Sequence, residues 1–87
     1  RYDESIQAAQ RSLRHNRLHT STYRALAIAQ SLSGRASDAH ATVRQLLELD
    51  PAFTVARFEQ RFPGRVQAPE YTRKLGDALR AAGVPAG

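Results

Sequence analysis

Between Thr20 and Pro51 the chain spells out a helix, a tight turn, a second helix and a stop. This punctuation limits the fold more than any other feature. Tyr23, Leu26, Ala27 and Gln30 fall at i, i+3, i+4 and i+7, the spacing of one helix face. Ser33-Gly34 breaks the stripe, with Gly34 suited to the left-handed position that follows a helix. A second stripe follows, placing Ala36, Ala39, Val43, Leu46 and Leu47 on one face and Arg44, Gln45 and Glu48 around the other. Asp50-Pro51 ends it, because the residue before proline is biased away from the α region. No stretch alternates apolar and polar residues long enough for a sheet.

Sliding the chain against itself by 34 residues brings Arg1 onto Arg35, Glu4 onto Asp38, Ala9 onto Val43, Leu13 onto Leu47 and Asn16 onto Asp50. Few of these are identities, but helical spacing holds on both sides of the match. The segment 1–19 therefore reads as the second helix of a preceding unit, and 20–53 as a complete one. Beyond residue 53 the period is lost. Val55, Phe58 and Phe62 make a short stripe ended by Pro63-Gly64, and residues 65–68 read as a loop. The last helix has Pro69 at its start, Gly83 at its end and Pro85 just beyond. Between them Tyr71, Leu75, Ala78, Leu79 and Ala82 share a face. The expected architecture is all-α, with helices near 3–15, 20–32, 36–49, 54–61 and 69–82. Ile6, Ala9, Leu13, Tyr23, Leu26, Ala39, Val43 and Leu47 are expected in the core.

The pattern carried by Tyr23, Leu26, Ala27, Ala39, Val43 and Pro51 resembles the tetratricopeptide-repeat (TPR) family, whose repeat length is 34 residues. Gln30 stands where that family favours an aromatic, Leu46 where it favours Ala, and Arg17 where it favours Pro. The resemblance implies antiparallel helix pairs, an α-solenoid fragment, with residues 54–87 supplying a C-terminal capping helix and tail. The tail, from Leu49-Asp50-Pro51 through Arg57-Phe58 and Arg61-Phe62-Pro63 to Leu79-Arg80-Ala81-Ala82-Gly83-Val84-Pro85, resembles TPR regions of bacterial class III adenylate/guanylate cyclase-type or winged-helix regulators. That resemblance implies the docking or sensing end of a larger signalling protein; the catalytic and DNA-reading parts of such proteins do not lie in these residues.

Composition narrows the functional classes. At 87 residues the chain is one domain at most. It has no cysteine, hence no disulfide framework or thiolate metal site, and a cytoplasmic location is expected. The longest apolar run, Ala25-Leu26-Ala27-Ile28-Ala29, is far short of the roughly 20 residues of a membrane span, so no membrane partner is expected. The net charge of +5 comes from twelve Arg and one Lys set against eight acidic residues. The arginines are scattered, and a solvated surface explains them more readily than a nucleic-acid site.

No reaction centre is legible. His15 and His19 are spaced i, i+4, but the expected helix end falls between them, and His40 is remote in sequence. Asp3, Glu4 and Asp38 lie near helix starts, where negative charge favours the positive end of the dipole. The serines lack a glycine-flanked elbow and the glycines are isolated, leaving no phosphate-cradling loop. A non-enzymatic chain without cofactor or metal is expected.

What remains is surface. In the TPR family the first helix of each repeat lines a concave face that contacts peptides, which implies partner-binding positions at Ser21, Arg24, Ile28, Ser31 and Leu32. One subclass clamps a C-terminal carboxylate with basic and asparagine residues; Arg24 could serve as a basic one, but Ile28 stands where that subclass has asparagine. The expected function is a protein-protein interaction or scaffolding module with a protein or peptide partner. The alternative is an accessory nucleic-acid-binding domain. Because the helix that would pack on residues 2–13 lies outside this chain, a homodimer through the uncovered first helix is a further expectation, against a plain polar face on that helix.

Overall fold

The computed structural model of the chain describes residues 2–61 and 69–87, which form five α-helices: α1 (Tyr2–His15), α2 (Thr20–Leu32), α3 (Ala36–Leu49), α4 (Val55–Arg61) and α5 (Pro69–Ala81). No strand occurs among the described residues. Phe62 and the expected loop at 65–68 lie outside them, as does the side chain of Tyr71.

Three of the boundaries have a clear local chemical cause. Gly34 has φ +83°, and around it the Arg35 N–H donates to the Gln30 carbonyl at 2.8 Å and the Gly34 N–H to that of Ser31 at 3.2 Å. This double closure is a Schellman motif, which satisfies carbonyls that the end of α2 leaves free. Gly83 repeats it with φ +113°: Val84 donates to Leu79 and Gly83 to Arg80, both at 3.0 Å. The accompanying apolar contact is present too, since Val84 and Leu79 are both buried. At the start of α4, the Thr54 hydroxyl accepts from the Arg57 N–H at 3.1 Å, an N-cap.

Helix α2 is the centre of the molecule. It packs against α1, α3 and α5, while α4 packs against α5. The main core joins Tyr23 and Ala27 of α2 to Ala39, Val43 and Leu46 of α3, to Phe53, Val55 and Phe58, and to Leu79, Ala82 and Val84 at the C-terminal end. A smaller cluster sets Ile6 of α1 on Leu26 and Ala29 of α2, with Ala9 and Leu13 at its edge. The Arg35 guanidinium also pairs with the Asp3 carboxylate, linking the start of α3 to that of α1.

The core differs from the sequence reading at particular positions. Leu46 is the buried leucine of α3, at 1% exposure, and Leu47 is half-buried at the edge of the main core. The centre of the α3 stripe is Ala39, Thr42, Val43 and Leu46; Leu47 lies about a quarter-turn from it, and α2 approaches from one side only. Ala9 and Leu13 are half-buried for the same reason. Ala36, expected on the apolar face, is exposed because it is the first residue of α3, beside the turn, with little structure beyond it.

Close approach of α4 and α5 depends on Gly76. A Cβ there would stand 3.2 Å from Val55 Cγ1 and 2.9 Å from Glu59 Oε2. The missing side chain lets the two helices meet, which offsets the helix propensity lost with glycine.

Candidate interaction surface

Three neighbours around one helix leave little of it free. On α2, Leu26 and Ala29 turn to α1, and Tyr23, Ala27 and Gln30 turn to α3. One strip that stays open is Ser21, Ala25, Ile28 and Leu32, following one another at i, i+4, i+7 and i+11. Ala25 is exposed and the other three are half-buried.

The strip is the floor of a groove of about 300 Å³ between α1 and α5. Ala25, Ile28, Ala29 and Leu32 make its apolar base; Tyr2 and Ser5 of α1 form one wall, and Lys74 and Leu75 of α5 the other. Tyr2 is one of the few large hydrophobic side chains left exposed among the described residues. A groove of this size accepts one or two apolar side chains, with a hydroxyl and an ammonium at its rim to meet polar groups. Such a combination suits a protein segment with an apolar anchor better than a small polar metabolite.

The five positions implied by the sequence divide into two sets. Ile28 and Leu32 lie in the groove, and Ser21 continues their line along α2. Arg24 and Ser31, seven residues apart, lie on a flank and are half-buried. The Arg24 guanidinium stands over the Phe53 ring, 6.0 Å from its centroid, a cation–π arrangement that ties α2 to the segment between α3 and α4. Ala25, Tyr2, Ser5, Lys74 and Leu75 were not among the partner-binding positions implied by the sequence. Ala25 was legible from the spacing alone, whereas the wall residues belong to the groove only through the packing of α1 and α5.

His19 has structural partners. The His19 ring lies 2.7 Å from the Thr22 hydroxyl and 3.1 Å from that of Ser21, at the N-cap position of α2. His15 closes α1, so the two imidazoles belong to different helices. Among the described residues no three His, Asp or Glu side chains gather as a metal site, and no helix is long and apolar enough to cross a membrane.

No protein-family model matches the chain, and no curated protein or solved structure matches it.

Proposed function

We propose that this chain is a non-catalytic protein-interaction module of TPR-like design, which captures a partner segment by an apolar anchor in the groove above Ala25, Ile28 and Leu32. One observation carries the reading. Three helices pack on the central one, and along one apolar strip, walled on both sides, it stays open. The hairpin of α2 and α3, with α1 set against α2, supports the TPR-like reading. The likeness of the C-terminal segment to bacterial regulators supports a place as the C-terminal regulatory or oligomerising part of a larger cytoplasmic signalling protein.

The test uses peptides selected from a random displayed library on the wild-type chain and re-measured on Ala25→Glu. Ala25 is exposed and glutamate is a good helix former, so the fold survives while a charge enters the groove floor. Selected peptides carry an aromatic or aliphatic anchor and bind the variant at least about tenfold more weakly, the loss of one buried apolar contact. Equal binding to both proteins would remove the groove from the account.

A second reading has its own observation. Arg11, Arg14 and Arg17 are all exposed at the end of α1, a local concentration of positive charge suited to a nucleic-acid backbone. A steep fall in affinity for random-sequence DNA across a salt series favours that reading, because phosphate binding releases counterions.

A further inference from the structure

On the opposite side of α2 from the apolar strip lies a second groove, in which Gln10, Gln30, Asp38 and Thr42 stand beside Leu13, Tyr23 and Leu26. Helices α1 and α3 both pack on α2 but make at most marginal contact with each other, and the gap between them is a groove. Its two halves, about 510 and 400 Å³, share Gln10, Gln30 and Asp38, so they run into one another over α2. Arg14 and Arg17 stand at one end. The Asp3–Arg35 ion pair closes the other. From Asp3 to Arg14 α1 rises about 16 Å, at about 1.5 Å per residue. That is the length of about five residues of extended chain.

The floor holds an unusual group. Gln30 is 4% exposed and lines both halves of the groove. Its Oε1 accepts from the Thr42 hydroxyl at 2.6 Å, and its NH2 end has no partner among the described residues. Thr42, itself buried, is not bound to this arrangement, because its hydroxyl also reaches the Asp38 carbonyl at 3.0 Å. If Thr42 donates to Asp38, both ends of the carboxamide are available to a ligand. A primary amide offers one donor edge and one acceptor, the complement of a peptide group. Neither Arg14 nor Arg17 forms an ion pair with a described residue, and two free guanidinium groups at the groove end complement a carboxylate.

We propose that this groove binds an extended acidic peptide segment, with a backbone amide over Gln30 and a Glu or Asp side chain between Arg14 and Arg17. The site is distinct from the apolar strip: the two lie about half a turn apart around α2 and recognise opposite chemistries. One small helical unit would then hold two segments at once, an apolar anchor on one side and an acidic strand on the other.

The experiment titrates isotope-labelled chain with blocked pentapeptides of alanine and serine that carry one glutamate at either end, beside counterparts with glutamine instead. Acetylated and amidated ends remove terminal charge, so only the side-chain carboxylate is read. The expected result is a saturable shift of the Gln30 side-chain amide resonances, at least about tenfold weaker with the glutamine peptides. The double variant Arg14→Ala/Arg17→Ala, at exposed positions, loses binding with its fold intact. Gln30→Met keeps the volume, leaves Thr42 its bond to Asp38, and weakens binding to a similar extent. The proposal is overturned if no peptide shifts Gln30, if the glutamine peptides bind equally, if the arginine variant binds normally, or if shifts map to Ile28 and Leu32. It is also overturned if a single-stranded oligonucleotide takes the arginines while the glutamate peptides leave Gln30 unmoved.

Discussion

The Val55 N–H donates to the Pro85 carbonyl at 2.9 Å, so the last residues of the chain close the first turn of α4. Ala56 does the same to Ala86 at 3.0 Å. A helix of seven residues is too short to persist unaided, and here two of its orphan N–H groups find backbone partners in the tail. Val84 anchors that tail in the main core. Val84→Ala should lower stability by about 1.5–3 kcal/mol, from lost burial and the void left behind. It should also speed hydrogen exchange at Val55 and Ala56 more than at Leu26. Wild-type exchange at Val55 as fast as in an unstructured peptide would contradict the contact.

Leu46 and Leu47 separate a core residue from an edge residue. Leu46→Ala should destabilise by about 2–5 kcal/mol, the range for a fully buried leucine. Leu47→Ala should fall below that range, and Arg44→Ala within about 0.5 kcal/mol, as for an exposed site. Urea melts that rank Leu47 above Leu46 would mean that α3 is rotated about its axis relative to α2.

Gln30 and Thr42 make an asymmetric pair. Thr42→Val strips the carboxamide of its only described partner and should cost about 1–3 kcal/mol. Gln30→Met leaves Thr42 its bond to the Asp38 carbonyl and should cost less than about 1.5 kcal/mol. A thermal melt of each variant checks the order. Equal losses would mean that the hydroxyl depends on Gln30 as much as Gln30 depends on it.

The element boundaries were legible in the sequence because their causes are local. Gly34 and Gly83 supply positive φ, Pro51 halts α3, and Pro69 opens α5, all within one turn of the boundary they set. The core was less legible where the choice depends on a neighbour. Leu46 and Leu47 both belong to the apolar side of α3, and only the direction of approach of α2 decides between them. The walls given to the α2 groove by Tyr2 and Lys74, and the bonds from the tail to α4, come from tertiary packing and from backbone groups that leave no side-chain signature. Gln30 did leave a signal. A polar residue in the stripe of Tyr23, Leu26 and Ala27 marks either an error in register or a buried polar contact, and the structure shows the contact.

Self-association follows from which face of α1 is left outside. Ile6, Ala9 and Leu13 turn toward α2, and Glu4, Gln7, Ala8, Arg11, Ser12 and His15 are exposed. That outer surface is mainly polar and offers a two-fold partner little apolar area. The expected outcome is a monomer in sedimentation at micromolar concentration. A concentration-dependent dimer, abolished by a charge reversal at Arg11, would instead assign the first helix to a homodimer.

The interaction reading is tested most directly by finding where a selected peptide sits. Spectra of the labelled chain with and without an anchor-bearing peptide from the displayed library should show the largest shifts at Ala25, Ile28, Leu32 and Leu75, the residues of one groove. The shifts should saturate with the same affinity at all four and vanish in Ala25→Glu. Shifts confined to other surfaces, with these four resonances unmoved at saturation, would contradict the account.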